Sequence, residues 1–294
     1  MKKSILVVTA LLICLSIYAD RGSIPFNPFI RIFEPEQNAI IAWNGKTQCL
    51  LLSTQLSSSE PTKILEVIPF MTEPTVKKGE HESFTKAMTI INRERYKNLF
   101  SQLNQDLSRT RSGRQAPAEV THREQIGAHD ISIIRLISPE GFFEWVENYL
   151  KENGASRVKV GETMKRNITK YMADGYKYFV FDVVELDGTV KTIDPILYTF
   201  ESDHLYYPIK ISTTDTGKTE ISLIVITKNP LTKFYDLHID DVKLMHDIID
   251  ISYWDVKHIS DDISKLFKED DTLKLRLWNI SGTLSEMDKD LIAK

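Results

Sequence analysis

Residues 38–54 read NAIIAWNGKTQCLLLST, and the rest of the fold is inferred outward from this stretch. Two runs rich in Ile, Leu, Ala and Trp flank the dipeptide Asn44-Gly45. Asn-Gly readily supplies the two positive φ angles of a tight hairpin turn. The stretch therefore predicts a β-hairpin made of Asn38 to Trp43 and Thr47 to Thr54.

Further extended and helical segments follow this hairpin. Lys63 to Pro69 is a third predicted strand, and apolar residues then recur at helical spacing from His81 to Leu107. Tyr176 to Leu186 is rich in aromatic and β-branched residues, which predicts a long strand. The pattern predicts that Asp187-Gly188 turns this strand back into Val190 to Phe200.

Similar signals continue toward the C-terminus. Asp194-Pro195 is predicted to interrupt its strand as a bulge or an edge. Tyr207 to Thr213 and Thr219 to Thr227 are predicted to form another hairpin. After them we expect a helix from Asp261 to Lys268, a strand from Leu273 to Ile280 and a terminal helix.

Two predicted helices have clear start and stop signals. A strand from His129 to Ile137 leads into Ser138-Pro139, an N-cap followed by proline at the first helical position. This helix ends near Gly154, and a second one, roughly Glu162 to Asp174, ends at Gly175. Hairpins with helices set between them favour an α+β fold with a largely antiparallel sheet and a smaller α/β C-terminal extension.

The N-terminus has the parts of an export signal. Lys2 and Lys3 are a positive region, residues 5–16 are almost wholly apolar, and Ala19 is a small residue for signal peptidase. The apolar run is shorter than the roughly 20 residues that cross a bilayer, so a cleaved signal is favoured over a retained anchor. We therefore expect a signal peptide over residues 1–19, a main domain over residues 20–227 and an acidic C-terminal extension over residues 228–294. The mature protein would be periplasmic or extracellular.

Composition narrows the function classes. The 294-residue chain has a net charge of −4 at pH 7, which argues against a nucleic-acid partner. No second apolar stretch approaches membrane-spanning length, so we expect a soluble mature form without a membrane span. Because Cys14 leaves with the signal, Cys49 is left alone and no intramolecular disulfide can form. We expect Cys49 to be a small buried core residue rather than a nucleophile.

The segment from Ser108 to Gln125 is polar and basic. It has almost no apolar content, so it cannot bury enough surface to offset the cost of ordering it. Its four arginines are Arg109, Arg111, Arg114 and Arg123. We expect a mobile connector rather than a docking or processing loop.

Short motifs in the middle of the chain resemble a known family. In order they are Gly127-Ala128-His129-Asp130-Ile131, Phe143-Glu144-Trp145-Val146, Gly175-Tyr176, Phe179-Val180-Phe181 and Tyr207-Pro208-Ile209. Their order resembles the exported bacterial family called domain of unknown function 2330, with a weaker similarity around Ile64 to Pro74. The family has no established activity, so the resemblance implies a fold and a location but no catalytic residue. A cysteine-containing cluster typical of its members is absent from Asp20 to Phe26.

Catalytic signatures are scarce. No His-Glu-x-x-His, Gly-x-Ser-x-Gly, Cys-x-x-Cys or calcium-loop pattern occurs, and Gly217-Lys218-Thr219 lacks the upstream glycine of a phosphate loop, where Ser212 stands. His129-Asp130 and Asp203-His204 are adjacent pairs, and neighbours in a strand face opposite sides, so neither pair is expected to form a dyad alone. Convergence of the two pairs in a deep pocket would favour a hydrolase with His129 or His204 as general base.

The strongest compositional anomaly is the Asp/His-rich stretch 236–262. It contains Asp236, His238, Asp240, Asp241, His246, Asp247, Asp250, Asp255, His258, Asp261 and Asp262. If residues 242–250 are helical, His246 and Asp250 share a face, and Asp255 and His258 do so in the following turn. The spacing matches no recognised metal site, so we favour a solvated acidic face with helix caps.

Two functional hypotheses remain. The first is a non-enzymatic envelope or secreted module that binds a protein, a peptide or a glycan, with no cofactor. The alternative is an extracytoplasmic hydrolase or metal-dependent enzyme, for which no catalytic residue is assigned. An aromatic set is expected to lie mostly in the core rather than to line a ligand groove: Trp145, Tyr176, Tyr178, Phe179, Tyr198, Tyr206 and Tyr207.

Overall fold

The structure is a computed structural model, and it describes residues 22–27, 30, 32–33, 36–100, 125–126, 129–136, 138–155, 159–214, 218–234 and 242–294. Several predictions lie outside the described residues: the signal peptide 1–19, residues 101–107 of the first helix and residues 108–124 of the arginine-rich loop. Asp236, His238, Asp240 and Asp241 also lie outside them.

A five-stranded sheet forms one half of the framework, in the order β1-β5-β9-β8-β7. Its strands are β1 (Gly22–Pro25), β5 (Thr62–Phe70), β7 (Gln125–Ile126), β8 (His129–Arg135) and β9 (Tyr178–Leu186). All four pairings in this sheet are antiparallel.

A ten-stranded sheet forms the other half, with the main order β14-β16-β13-β3-β4-β11-β6. Its strands are β2 (Ile32–Phe33), β3 (Gln37–Trp43), β4 (Thr47–Ser58), β6 (Thr75–Lys78), β10 (Lys191–Thr192), β11 (Ile196–Glu201), β13 (Lys218–Thr227), β14 (Val242–Leu244), β15 (Ile249–Ser252) and β16 (Thr272–Thr283). The β13–β3 pairing is parallel, and the other described pairings are antiparallel. A separate pair joins β12 (Leu205–Tyr207) to β17 (Leu291–Ala293).

Five α-helices are described. They are α1 (His81–Phe100), α2 (Pro139–Glu152), α3 (Glu162–Ala173), α4 (Tyr253–Ile259) and α5 (Asp261–Ser264), and two 3₁₀ helices span Lys210–Thr214 and Leu284–Glu286. None of the described helices has both the length and the apolarity to cross a membrane. Mainly antiparallel sheets with interspersed helices confirm the predicted α+β class.

Local sequence signals placed several elements correctly. Asn44-Gly45 joins β3 to β4, with Gly45 at φ 95° and the Asn44 side-chain oxygen accepting from the amides of Lys46 and Thr47. Ser138 caps α2 by accepting from the Gly141 amide at 3.2 Å. The chain leaves α2 and α3 through Gly154 and Gly175, whose φ angles are 94° and 95°.

The helices pack on opposite parts of the framework. α2 and α3 cover the five-stranded sheet, where the Phe142 ring lies 5.9 Å from Phe179 and 5.4 Å from Phe181. α1, α4 and α5 cover the ten-stranded sheet, where Ala87 and Val256 are fully buried. Burial of these apolar faces is the main stabilising contribution to both layers.

Two predicted hairpins are wrong. The chain leaves β9 at Asp187-Gly188 and crosses to the other sheet, where β10 and β11 pair with β4 instead of with β9. Residues 210–214 are a 3₁₀ helix, and β13 pairs with β3 and β16 rather than with the segment before it. In both cases the later strand pairs with a strand that is distant in sequence instead of with its neighbour. A local turn signal carries no information about such a distant partner.

The C-terminal predictions also need correction. Residues 242–250 are not helical, because β14 and β15 pair with β16. The predicted helix after residue 260 is the short α5, and the predicted terminal helix is replaced by a 3₁₀ turn and β17. The predicted strand at 273–280 is confirmed as the centre of β16, which pairs with β13 from Lys274 to Thr283.

Candidate functional site

Three ionisable side chains meet inside the five-stranded sheet and form what we call the buried cluster: Glu66, His129 and Asp182. Glu66 and Asp182 face each other across the β5–β9 pairing, and His129 lies diagonally on β8. One potential ligand atom from each residue lies within 4.8 Å of the others. The residues are 1%, 2% and 0% exposed, respectively.

Hydrogen bonds fix the histidine ring of this cluster. His129 Nε2 lies 3.0 Å from the carbonyl oxygen of Asp194, and Nδ1 lies 2.5 Å from Asp182 Oδ2. A carbonyl oxygen only accepts, so Nε2 carries a proton and Nδ1 is turned toward the carboxylates. Metal-binding histidines adopt the same outer hydrogen bond.

The cluster has donors that suit a metal ion, namely one imidazole nitrogen and two carboxylate oxygens. Side chains that are at most 2% exposed present no surface to a substrate, however. The arrangement is therefore suited to a structural ion or a buried charge network rather than to hydrolysis.

The two adjacent His/Asp pairs differ in whether their members contact each other. Asp130 is exposed, whereas His129 is buried beside Asp182.

Asp203 and His204 lie in a bend before β12, and His204 Nδ1 is 2.5 Å from Asp203 Oδ1. The prediction that adjacency keeps this pair apart is therefore wrong, because the alternation of a strand does not hold in a bend. The hydrogen bond to His204 lowers the pKa of Asp203. Neither pair lines the cavities described next.

A cavity of about 250 Å³ opens between the sheet and the end of α5. Its lining includes the hydroxyls of three threonines, the Lys77 and Lys265 side chains and the Asp262 carboxylate. A second cavity of about 120 Å³ shares Leu197 and Asp262 with it and adds Lys78, Lys86 and Lys257. We call the two cavities together the lysine groove.

Ion pairs connect charged side chains that line the lysine groove. Lys77 Nζ lies 3.1 Å and Lys265 Nζ 2.6 Å from the same oxygen, Oδ1 of Asp262. Partial burial works to raise the pKa of Asp262, but the hydrogen bonds from Lys265 and Lys77 outweigh it and lower that pKa below its usual range. The hydrogen bond to Asp262 in turn raises the pKa of Lys265. Asp262 and Lys265 are therefore both charged at neutral pH.

Cys49 lies at the base of this groove. It is 1% exposed, which confirms the predicted burial, and its Sγ is 3.2 Å from Thr199 Oγ1. Burial raises the pKa of the Cys49 thiol to about 11. The thiol is protonated at neutral pH and is a poor nucleophile.

A third cavity, the apolar slot, has a volume of about 260 Å³ and is also lined by Asn44. Its lining includes the apolar side chains of Trp43, Leu205 and Leu231, together with Lys228, Asn229 and Lys294. The Trp43 indole N–H donates to the Ser202 carbonyl at 3.0 Å, which holds the ring in place. Because Asn44 lines both the slot and the lysine groove, the two open beside the same β3–β4 turn.

Most of the predicted aromatic set lies in the core, as expected, and Trp145 is the exposed exception at 37%. Within the core, Asp290 Oδ1 accepts hydrogen bonds from the Tyr171 hydroxyl at 2.7 Å and the Lys210 amide at 2.9 Å. Burial raises the pKa of Asp290 to about 6. It also raises the pKa of Tyr206, well above its usual value.

Two described members of the Asp/His-rich stretch have ordinary structural roles, whereas Asp261 and Asp262 line the lysine groove. Asp255 completes a capping box with Ser252, and Asp250 pairs with Lys274 at 2.7 Å. Sequence reasoning missed Glu66, Asp182, Asp290 and the groove lysines. No local motif marks them, because residues far apart in sequence build each of these sites.

Comparisons with known proteins give the following matches. A family model described as an uncharacterized protein conserved in bacteria matches residues 22–260. Among solved structures, baculovirus P35 aligns with a TM-score of 0.45 and 8% identity, covering 91% of this chain and 97% of that one. A mutated baculovirus P35 after caspase cleavage aligns with a TM-score of 0.39 and 9% identity, covering 88% and 98%. No curated protein matches the sequence.

Proposed function

The chain belongs to the bacterial family called domain of unknown function 2330, and we propose that it is an exported, non-enzymatic binding module. Its ligand lies across the lysine groove and the apolar slot. The observation that carries this proposal is that an apolar cavity and a charged one open beside the same residue, Asn44. Ligand sites in proteins commonly combine an apolar pocket with a few polar groups that fix orientation.

The accessible groups favour binding over catalysis. The histidine with the best catalytic neighbours, His129, is 2% exposed, and Cys49 in the groove has a pKa of about 11. A general base must reach the proton that it removes, and a nucleophilic cysteine needs its thiolate. The charged and hydroxyl groups that line the lysine groove are lysines, three carboxylates and several hydroxyls, which recognise a ligand without activating a nucleophile.

A blocked slot tests this function. Asn229 is exposed at the slot, so Asn229→Arg places a long charged side chain at its mouth. Asn148→Arg makes the same change on the exposed face of α2, and Asn148 lines neither the lysine groove nor the apolar slot. We expect labelled peptides that contain one Phe or Leu to bind the unmodified protein and the Asn148→Arg control, and to lose binding to Asn229→Arg in fluorescence polarisation. Equal binding by both variants, or turnover of the peptides, would contradict the proposal.

Export is part of the proposal and rests on the charged, apolar and small residues of positions 1–19. We expect the protein in the periplasm or the medium, with Asp20 as its first residue. Intact mass measurement after cell fractionation checks this. Met1 on protein from the envelope fraction would refute cleavage.

The buried cluster supports a second candidate, a metal-dependent protein, because its ligand atoms lie within 4.8 Å of one another. Elemental analysis of the purified protein and of Asp182→Asn tests it. A stoichiometric metal that disappears in the variant, together with a hydrolytic activity that disappears with it, would replace the binding module as the conclusion.

A further inference from the structure

We propose that the lysine groove receives the carboxylates of an acidic peptide while an apolar side chain of the same peptide fills the apolar slot. This inference rests on the proposed binding function and names its ligand class. It is carried by the donors of the groove, by the charge of its lining and by its position beside the slot.

The large cavity of the groove is lined by two ammonium groups, those of Lys77 and Lys265. An ammonium group has three donors. Lys77 and Lys265 both direct one of theirs to the same carboxylate oxygen of Asp262, at 3.1 and 2.6 Å. The Cys49 thiol next to them remains neutral, since burial raises its pKa to about 11. An incoming carboxylate can accept charge-assisted hydrogen bonds from the other N–H groups of both lysines.

Charge points the same way. The two cavities are lined by five lysines, Lys77, Lys78, Lys86, Lys257 and Lys265, and by three acids, Glu80, Asp261 and Asp262. Lys78 is also paired with Asp194 at 2.9 Å, so its charge is partly compensated. The groove is still a basic strip on a chain whose net charge is −4. Such a strip attracts anionic ligands and repels cationic ones.

The neighbouring slot distinguishes a peptide from an acidic glycan. The slot of about 260 Å³ has Trp43, Leu205 and Leu231 in its lining, which suits a Leu or Phe side chain. A peptide supplies an apolar side chain and carboxylates on one backbone.

The test compares two synthetic peptides, acetyl-Ser-Phe-Ser-Glu-Glu-Glu-Ser-amide and the same peptide with Gln in place of Glu. Titration calorimetry measures their affinity for the mature protein, for the double variant Lys77→Gln/Lys265→Gln and for a matched control, Lys63→Gln/Lys274→Gln. The control removes two lysines that are ion-paired outside the groove, with Glu185 and Asp250. Thermal unfolding confirms that each variant is folded.

We expect the Glu peptide to bind about tenfold more tightly than the Gln peptide, because charge-assisted hydrogen bonds are stronger than neutral ones. The double variant should lose this preference, the control should keep it, and added salt should weaken it. Equal binding of the two peptides, with both blocked by Asn229→Arg, would overturn the acidic ligand but leave the binding function standing. If oligogalacturonate binds and neither peptide does, the inference that the ligand is a peptide is wrong. Failure of all three probes would remove the binding function as well.

Discussion

The buried cluster and the lysine groove both combine carboxylates with basic side chains, but they differ in access to water. Glu66, His129 and Asp182 are at most 2% exposed. In the groove, the side chains of Lys77, Asp262 and Lys265 are 59%, 34% and 69% exposed. Charge interactions in the interior are strong but carry a large desolvation cost, whereas those at the surface are screened. The first region should therefore govern stability and the second recognition.

Asp182→Asn should have the largest effect on stability. It replaces the carboxyl group that hydrogen-bonds with His129 and faces Glu66, and breaking a buried pair in this way costs about 3–5 kcal/mol. Urea unfolding monitored by circular dichroism measures this loss. A loss below about 1 kcal/mol, the size seen for exposed pairs, would show that the cluster is not a buried charge network.

Chelation separates the two interpretations of the same cluster. If it holds a structural metal, treatment of the unmodified protein with EDTA should reproduce the destabilisation of Asp182→Asn and have no further effect on the variant. If it is a charge network, EDTA should leave both proteins unchanged.

Asp290 gives the next largest effect, and it depends on pH. Its pKa rises from 3.8 to about 6 on folding, so the folded protein binds more protons than the unfolded chain between these values. Stability therefore falls as pH rises through this window, by about 3 kcal/mol in total, and levels off above it. Asp290→Asn keeps a side-chain oxygen but has no charge to bury, so it should remove this pH dependence.

Unfolding at pH 4 and pH 7 checks the Asp290 prediction. From pH 4 to pH 7, the free energy of unfolding of the unmodified protein should fall by about 2.4 kcal/mol relative to that of Asp290→Asn. Asp288→Asn is the matched control, because Asp288 is an exposed carboxylate two residues earlier. An equal change in both variants would assign the effect to general charge repulsion.

The fold was predictable where structure follows from local chemistry. Asn44-Gly45, the Ser138 cap and the glycines after α2 and α3 each determine the conformation of a few neighbouring residues. Strand pairing was not predictable in this way. β13 pairs with β3 in parallel and with β16, and burial on both faces of its second half, Leu223 to Thr227, leaves no alternation there to identify either partner.

The candidate site shows the same limit. Burial of Cys49 followed from its apolar strand. The sequence offered His129 only as a possible general base. Its partner is Asp182, 53 residues away, rather than the adjacent Asp130. The lysine groove depends on β6 and α5 lying side by side, and Lys77 and Asp262 are 185 residues apart. Proximity of this kind arises from packing and leaves no spacing in the sequence.

The smallest effect on stability should come from Asp262→Asn. This variant tests the contrast between the buried cluster and the lysine groove, because its stability should fall slightly while its affinity for the Glu peptide should rise. The pKa of Asp262 is lowered in the folded protein, so its ion pairs stabilise above the unfolded pKa and lose this contribution as pH falls through the folded pKa. The side chain is 34% exposed and its partners are more so, so screening limits the cost at neutral pH to about 1 kcal/mol or less. The substitution also frees Lys77 and Lys265 from a competing acceptor, so the Glu peptide should bind about threefold more tightly. Urea unfolding and calorimetry on one preparation measure both quantities. Weaker binding of the Glu peptide would mean that Asp262 positions the two lysines for the ligand, and a stability loss as large as that of Asp182→Asn would remove the distinction between the two regions.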